Sequence, residues 1–205
     1  MIFVLKLTGY FLLWTLYSYT IHYLAHTKIR YNFLKYFHLK HHAYDYGESF
    51  FPPWHDYFFW FGHIKSSMDV YITFTLPLVL LAMFDPLYGV ILLVFHYFYE
   101  VFLSRNVLDH NPRIKGWITK IIPIGSFHLM HHRHAKCNYS FFITLWDHVF
   151  RTNDVEVLGQ RNTKEEARKK VANERHQEIE LALNVKKYRK EQNERKGKKS
   201  EKEPA

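Results

Sequence analysis

Val70-Tyr71-Ile72-Thr73-Phe74-Thr75-Leu76-Pro77-Leu78-Val79-Leu80-Leu81-Ala82-Met83-Phe84 is a run without a single charge, and after Asp85-Pro86 a second apolar stretch follows from Leu87 to Leu103. Proline cannot continue the preceding helix but can open the next, so the pair reads as a helical hairpin. Each stretch lies near the short end of the roughly 20 residues needed to cross a bilayer. Crossing without tilt, or local bilayer thinning, is therefore expected. Upstream, Ile2 to about Tyr19 is another apolar and aromatic run, with Lys6 near its start where it can snorkel. No small-residue cleavage site follows it, and it leads straight into His22, so it reads as a span rather than a cleaved signal. Tyr57 to Phe61 is too brief to cross and belongs with Trp54 and Trp60 at the interface. The expected fold is all-α: an integral membrane helical bundle with a cytosolic histidine-rich cap and a charged C-terminal helix.

The composition separates residues 1–155 from residues 156–205. From 160 onward the chain holds fifteen Lys/Arg and nine Asp/Glu, and so supplies six of the nine net positive charges. Glutamates interleave with these cations and Tyr188 is the segment's one aromatic residue. The stacking platforms of a single-strand nucleic-acid binder are thus missing, and no nucleic-acid partner is expected. Thr163-Lys164-Glu165-Glu166 reads as a capping box opening one long helix. Val171, Ile179, Leu183 and Val185 form a thin apolar stripe, the lysines and arginines on the other face can rest on anionic lipid, and folding against the preceding domain or staying solvated are both open. Residues 196–205 have the composition of a disordered end.

Fifteen histidines are distributed unevenly. His38-Leu39-Lys40-His41-His42 and His128-Leu129-Met130-His131-His132 are both H-x-x-H-H, and His22 and His26 form an i, i+4 pair. Helical positions i, i+3 and i+4 lie on one side, so each word is expected to aim three imidazoles at one point. The single cysteine, Cys137, excludes a thiolate zinc site, an iron–sulfur cluster or a disulfide framework within the chain. Imidazole suits zinc, copper, iron and nickel. Eight histidines exceed what one ion uses and point to two, with positions left open.

Topology permits a shared site. Lys28, Arg30, Lys35 and Lys40 follow the first span, which by the positive-inside rule puts that side in the cytoplasm. The hairpin leaves and returns, so residues 22–68 and everything from Arg105 onward share one face. The Asn138-Tyr139-Ser140 sequon would accordingly stay unglycosylated.

The order H-x-x-x-H, H-x-x-H-H, hydrophobic hairpin, H-x-x-H-H, then Asn138-Tyr139 and Leu145-Trp146-Asp147-His148-Val149-Phe150-Arg151-Thr152, resembles the fatty acid hydroxylase and sterol desaturase superfamily over about residues 10–152. Phe50-Phe51-Pro52-Pro53 is similar to its fatty acyl 2-hydroxylase branch, and Asn138-Tyr139 to its sterol desaturase branch. The resemblance implies an integral membrane enzyme that uses two iron ions, or zinc as purified, with O2 as cosubstrate to attack a lipid C–H bond. It implies His22, His26, His38, His41, His42, His128, His131 and His132 as ligands. Family members carry a further H-x-x-x-H before the last triplet; here Asn106-Val107-Leu108-Asp109-His110 stands in its place. His110 is then a ligand, and Asn106 a metal or water ligand.

His96 and Glu100 have the same spacing inside the third span, where a ligand role and a hydrogen-bonded His–Glu pair compete. His55 and His63 read as interface residues and His176 as part of the solvated tail. His134, Asp147 and His148 are candidates to orient the ligating rings. The first span and the hairpin would wall an apolar channel for the lipid. No haem- or flavin-binding segment is legible, so a separate electron donor of cytochrome b5 or ferredoxin type is implied. The endoplasmic reticulum is expected in a eukaryote and the inner membrane in a bacterium. A desaturase built on the same site, a metal transporter and a non-catalytic relative are the alternatives. A transporter would need ligands at mid-bilayer, whereas these histidines flank the spans.

Overall fold

The computed structural model describes residues 1–44, 51–59, 63–159 and 164–200, with the side chains of 159, 164–167 and 191–200 left aside. The readings placed on Phe50, Trp60, Phe61, the Thr163 capping box and residues 201–205 lie outside the described residues. Regular structure among the described residues is helical: α1 (Ile2–Ala25), α2 (Phe33–His42), α3 (Ile64–Phe84), α4 (Pro86–Asp109), α5 (Ser126–Arg133), α6 (Leu145–Val149), α7 (Asp154–Gly159) and α8 (Lys164–Ser200). Single 3-10 turns at Trp54–Phe58 and Trp117–Lys120 join them.

Helices α1, α3 and α4, of 24, 21 and 24 residues, are each long and apolar enough to cross a membrane. The protein is an integral membrane protein. The spans are longer than the apolar stretches predict, which removes the expectation of short, untilted crossings. The physical reason is that polar residues extend these helices instead of ending them. Ser66 and Ser67 in the first turn of α3, and Ser104, Arg105 and Asp109 in the last turns of α4, are all buried. Helix α1 likewise continues beyond Tyr19 through His22.

A wide-turn segment, Tyr71–Thr75, interrupts the α ladder of α3. Wide turns loosen backbone carbonyls from their i→i+4 partners, and in hydrocarbon no water replaces the lost donor. Side chains of α1 do so here: Tyr17 Oη donates to Ile72 O at 3.2 Å, Ser18 Oγ to Thr73 O at 3.0 Å and Trp14 Nε1 to Phe74 O at 3.0 Å. Three donors on one stripe of α1 thus dock it along α3. Around them the core gathers Trp14, Phe59, Val70, Phe74, Leu78, Leu92 and Val101.

The hairpin turn is tied back to the start of α1. Asp85 accepts from Tyr10 Oη at 3.2 Å and pairs with Lys6 at 3.5 Å. Close packing of α3 on α4 depends on Gly89, where a Cβ would collide with the backbone of Ala82. Backbone cannot yield as a side chain can. Gly89→Leu is expected to cost about 1–3 kcal/mol by overpacking, read as a lowered melting temperature in detergent, and an unchanged melt would refute that close approach.

At the opposite end of the bundle, Asn32 holds α2 against α1. Its Oδ1 accepts from Lys35 N at 3.1 Å as an N-cap, while its Nδ2 donates to Leu24 O at 2.8 Å. Asp56, fully buried, fixes the 51–59 loop to α4 through Arg105 at 3.4 Å and Tyr44 at 3.1 Å. Gly125 enters α5 at φ +55°, pressed on the carbonyl of Ile114, a position that admits no side chain.

The basic tail folds back on the rest of the chain. Val171 and Ile179 are buried, and Val171 packs with Met130 and Cys137. Arg175 Nε donates to Asp154 Oδ2 at 2.6 Å, Arg133 pairs with Glu178 at 3.3 Å and His134 with Glu174 at 3.3 Å. Leu183 and Val185, further along the stripe, stay exposed. Helix continues to Ser200, past residue 196 where composition predicts the end of order.

Candidate metal centre

Nine histidines converge at the end of the bundle away from Asp85, and they do so as two groups. His22, His26, His38, His42 and His131 form one; His41, His110, His128 and His132 form the other. Within each group a ring nitrogen from every member lies within 4.8 Å of all the others. All nine histidines named as ligands from the sequence are therefore brought together.

The arrangement corrects one expectation. Neither H-x-x-H-H word aims its three rings at one point; each divides them two and one. His38 and His42 of α2 join the five-histidine cluster while His41 turns to the other; on α5, His128 and His132 join the four-histidine cluster while His131 crosses over. Helix geometry explains the split. At about 100° per residue, positions 1 and 5 of the word are about 40° apart, whereas position 4 lies about 60° to the other side of position 1. Two reciprocal uses of one word thus build two neighbouring sites, which meet where the His42 and His132 rings approach to 4.3 Å.

Hydrogen bonds to the far side of the ring decide the tautomer of three of these histidines, His22, His131 and His38. Tyr139 O lies 2.7 Å from His22 Nδ1 and Cys137 O 2.7 Å from His131 Nδ1. A carbonyl oxygen can only accept, so both Nδ1 atoms carry the hydrogen and both Nε2 atoms of the neutral rings present lone pairs. Those two Nε2 atoms face each other at 2.9 Å. His38 Nδ1 is likewise bonded to Asp69 Oδ2 at 3.0 Å, which turns its own Nε2 lone pair on His42 Nε2 at 2.8 Å. Opposed lone pairs repel unless a cation sits between them.

A proton does not suit that role. Burial, reinforced by the neighbouring histidines, holds His131 and His132 well below the ordinary imidazole range and brings His42 down to about 2. Burial puts His38 at about 3, and His26, His41 and His110 are held at about 3 chiefly by burial with His38 or His41 adding to it. Neutral imidazoles are the form that metals bind. The spacings fit an ion as well. At about 2.0–2.1 Å from a metal, adjacent nitrogens stand about 2.9 Å apart in an octahedron and about 3.4 Å in a tetrahedron. The observed Nε2 pairs are 2.8, 2.9 and 3.2 Å in the first cluster and 3.0 and 3.3 Å in the second. His26 Nε2 is buried with no hydrogen-bond partner inside the first cluster, as a vacant donor atom would be. The residues fit metal ions.

The supporting shell differs in part from the sequence reading. Asp147 touches no imidazole. Its fully buried carboxylate accepts from Tyr139 N at 2.8 Å, Ser140 N at 2.8 Å and Thr152 Oγ1 at 2.7 Å, and so fixes the peptide whose carbonyl orients His22. His134 reaches Glu174 of the tail, His148 Nε2 lies 3.4 Å from Lys120 O, and neither contributes to a cluster. Asn106 Oδ1 accepts from Lys186 Nζ at 3.4 Å. The helical frame assumed for Asn106 and His110 does not hold, because Tyr99–Asp109 is a wide-turn segment with Arg105 outside helical conformation. His96 bonds Thr75 at 3.0 Å and Glu100 bonds Ser104 at 3.2 Å, so of the two roles left open for this pair neither a mutual hydrogen bond nor a place in a cluster is seen. His55 contacts Asp56, His63 caps α3, and His176 meets Glu180 at the surface. Asn138 is 1 % exposed and bonded through both amide atoms, to Phe127 O and Asp154 N, so burial alone denies it to glycosylation.

Sequence reasoning missed Asp69 and the carbonyls of Tyr139 and Cys137. Beside the first cluster stand aromatic rings of the spans and of the 141–142 loop. Phe141 stacks on His22 at 4.5 Å and meets Phe74 at 4.7 Å, and Trp14 lies 4.6 Å from Phe142.

No curated protein and no solved structure matches this chain. The model of one family, fatty acid hydroxylase, matches residues 7–152, a segment that holds all nine clustered histidines and the three spans except for the first residues of α1. With most of its length matched, and with the helices and histidines that such a family would use assembled at one end of the bundle, the chain belongs to the fatty acid hydroxylase family within the wider fatty acid hydroxylase and sterol desaturase superfamily.

Proposed function

We propose that this protein is a membrane-bound, O2-dependent oxygenase that hydroxylates a C–H bond of a lipid, either a fatty acyl chain or a sterol, and that it holds two iron ions in the two histidine clusters. The observation that carries this reading is the pair of opposed lone pairs at His22 and His131, 2.9 Å apart and fixed by carbonyls, at the end of a three-span bundle. When bound, iron on such nitrogen ligands supplies the activation of O2 that an inert C–H bond requires, with electrons from a separate donor of cytochrome b5 or ferredoxin type.

The chain's own residues bind and orient. His22, His26, His38, His42 and His131 hold one ion and His41, His110, His128 and His132 the other. Asp69, Tyr139 O and Cys137 O keep Nδ1 protonated, so that Nε2 is presented inward. Phe141 and Phe74 place apolar surface against the first cluster and keep water from it. The lysines and arginine after α1 assign the histidine face to the cytoplasm, facing the endoplasmic reticulum surface in a eukaryote or the inner surface of the inner membrane in a bacterium.

The test is mass spectrometry of total sterols and hydrolysed acyl chains from cells expressing the protein with a compatible donor, against cells expressing His131→Ala. Hydroxylation gives a species heavier by one oxygen atom that is absent from the variant. A species lighter by two hydrogens would assign desaturation instead. No change in either pool, from protein shown to be inserted and loaded with metal, would refute both.

A further inference from the structure

Beside the four-histidine cluster, on the side of His110, the tail helix closes a cleft that neither the metal chemistry nor the bundle explains. Its volume is about 460 Å³, and its walls are Asn106, Asn111, Pro112 and Arg113 from the end of α4 and Leu183, Lys186, Lys187 and Lys190 from α8. Four of the eight lining residues are cations, two are amides and none is acidic. Among the described residues no carboxylate lies within ion-pair distance of Arg113, Lys187 or Lys190, although elsewhere the tail pairs its charges readily, as Arg133 with Glu178 and Arg175 with Asp154 show. Arg113, Lys187 and Lys190, held around one cleft with no carboxylate of the described residues to offset them, repel one another. They are stable together when an anion lies between them.

We infer that this cleft binds a phosphate group, carried on a lipid headgroup or free in solution. Several lysines and an arginine around one cavity are the donor set that phosphate oxygens need, with Arg113 able to give two parallel bonds and the lysines acting as point charges. The side chains of Asn106 and Asn111 add neutral amides, and Leu183 and Pro112 add apolar wall suited to the carbon skeleton of a phosphoester. The location selects the phosphate's surroundings. Asn106 lies in the last turns of the span α4 and Asn111 directly follows His110, so the cleft opens where the span leaves the membrane. Basic pockets between helices at that level are suited to lipid headgroups.

Binding is read without turnover, so the outcome is independent of the oxygenase reading. Detergent-purified full-length protein is incubated with phosphatidic acid, phosphatidylcholine or oleate, and retained lipid is quantified by native mass spectrometry. The parent is compared with Arg113→Gln/Lys187→Gln/Lys190→Gln, and with Arg168→Gln/Lys169→Gln/Lys170→Gln, which removes equal charge elsewhere on the tail. The parent is expected to retain phosphatidic acid in preference to the other two, and the cleft variant to retain about a hundredfold less, at a factor of about five for each cation. The remote variant should match the parent. Competition by inorganic phosphate assigns a free phosphate group as a sufficient ligand; resistance to it assigns the headgroup in its lipid. Equal retention by parent and cleft variant, equal loss in the remote variant, or preference for oleate would each overturn the proposal. Circular dichroism melts of all three proteins establish that the comparison is between folded chains.

Discussion

His128→Ala/His132→Ala should purify with about half the metal of the parent and form no lipid product, because the four-histidine cluster would keep two nitrogens where a protein site needs at least three. The prediction follows from the division of each H-x-x-H-H word. Those two residues are the pair that α5 gives to one cluster, and His131 of the same word serves the other. If all three rings of α5 instead aimed at one ion, the double variant would disturb the site that His131 also serves. Metal at the five-histidine cluster should therefore persist, detected by elemental analysis of the purified chain. His148→Ala, which removes a nearby histidine bonded only to Lys120 O, should retain the full complement and serves as the control. Full metal in the double variant, or complete loss with the fold intact, would contradict the two-plus-one division.

Asp147→Ala should be among the most disruptive single changes outside the ligands. Its carboxylate is fully buried and accepts from two backbone N–H groups and from Thr152. Removal leaves two buried donors unsatisfied at about 1–3 kcal/mol each, so a loss of about 2–6 kcal/mol is expected in thermal or denaturant unfolding. The effect should also reach the metal. Ser140 N, in the same peptide unit as Tyr139 O, donates to Asp147 while Tyr139 O receives the His22 Nδ1 hydrogen, so a peptide that swings free no longer fixes the His22 tautomer. Affinity for the ion should fall about 10–100-fold, as it does when other partners of ligating histidines are removed. Asp147→Asn keeps one acceptor oxygen but turns an amide N–H₂ toward a donor, and should fall between the parent and alanine. Lost stability with undiminished metal affinity would make Asp147 a brace of the loop alone.

His128, His132 and Asp147 mark how far the sequence can be read. The histidines were legible because i, i+3 and i+4 spacing is local and periodic, and the hairpin because Asp85-Pro86 punctuates two apolar runs. The assignment of His41 and His131 to the opposite clusters was not, since it depends on how α2 and α5 face each other. Asp69 stands thirty-one residues from His38, inside what reads as a polar margin of a span, and only the folded chain brings them to 3.0 Å. The carbonyls of Tyr139 and Cys137 had no signal at all, because every residue has a carbonyl. Asn106 was placed by a regular helical count, and the wide turns of Tyr99–Asp109 break that count. Span lengths were underread for a related reason. Hydropathy scores Ser66, Asp69, Ser104 and Arg105 as ends, whereas packing buries Ser66, Ser104 and Arg105 within the helices and pairing with His38 holds Asp69 there.

Cys137 has no exposed surface, and Val171 of the tail lies in its cluster with Met130. Burial pushes its thiol far above the ordinary range, so it stays protonated and a poor nucleophile. Its carbonyl meanwhile anchors His131. Burial and protonation are what protect a thiol in that place from oxidation, which would add polar bulk where the His131 anchor sits. The basic tail, lying beyond the family-matched segment, thus bears on the durability of the proposed centre: Val171 helps to cover the one sulfur atom whose oxidation would reach a histidine anchor.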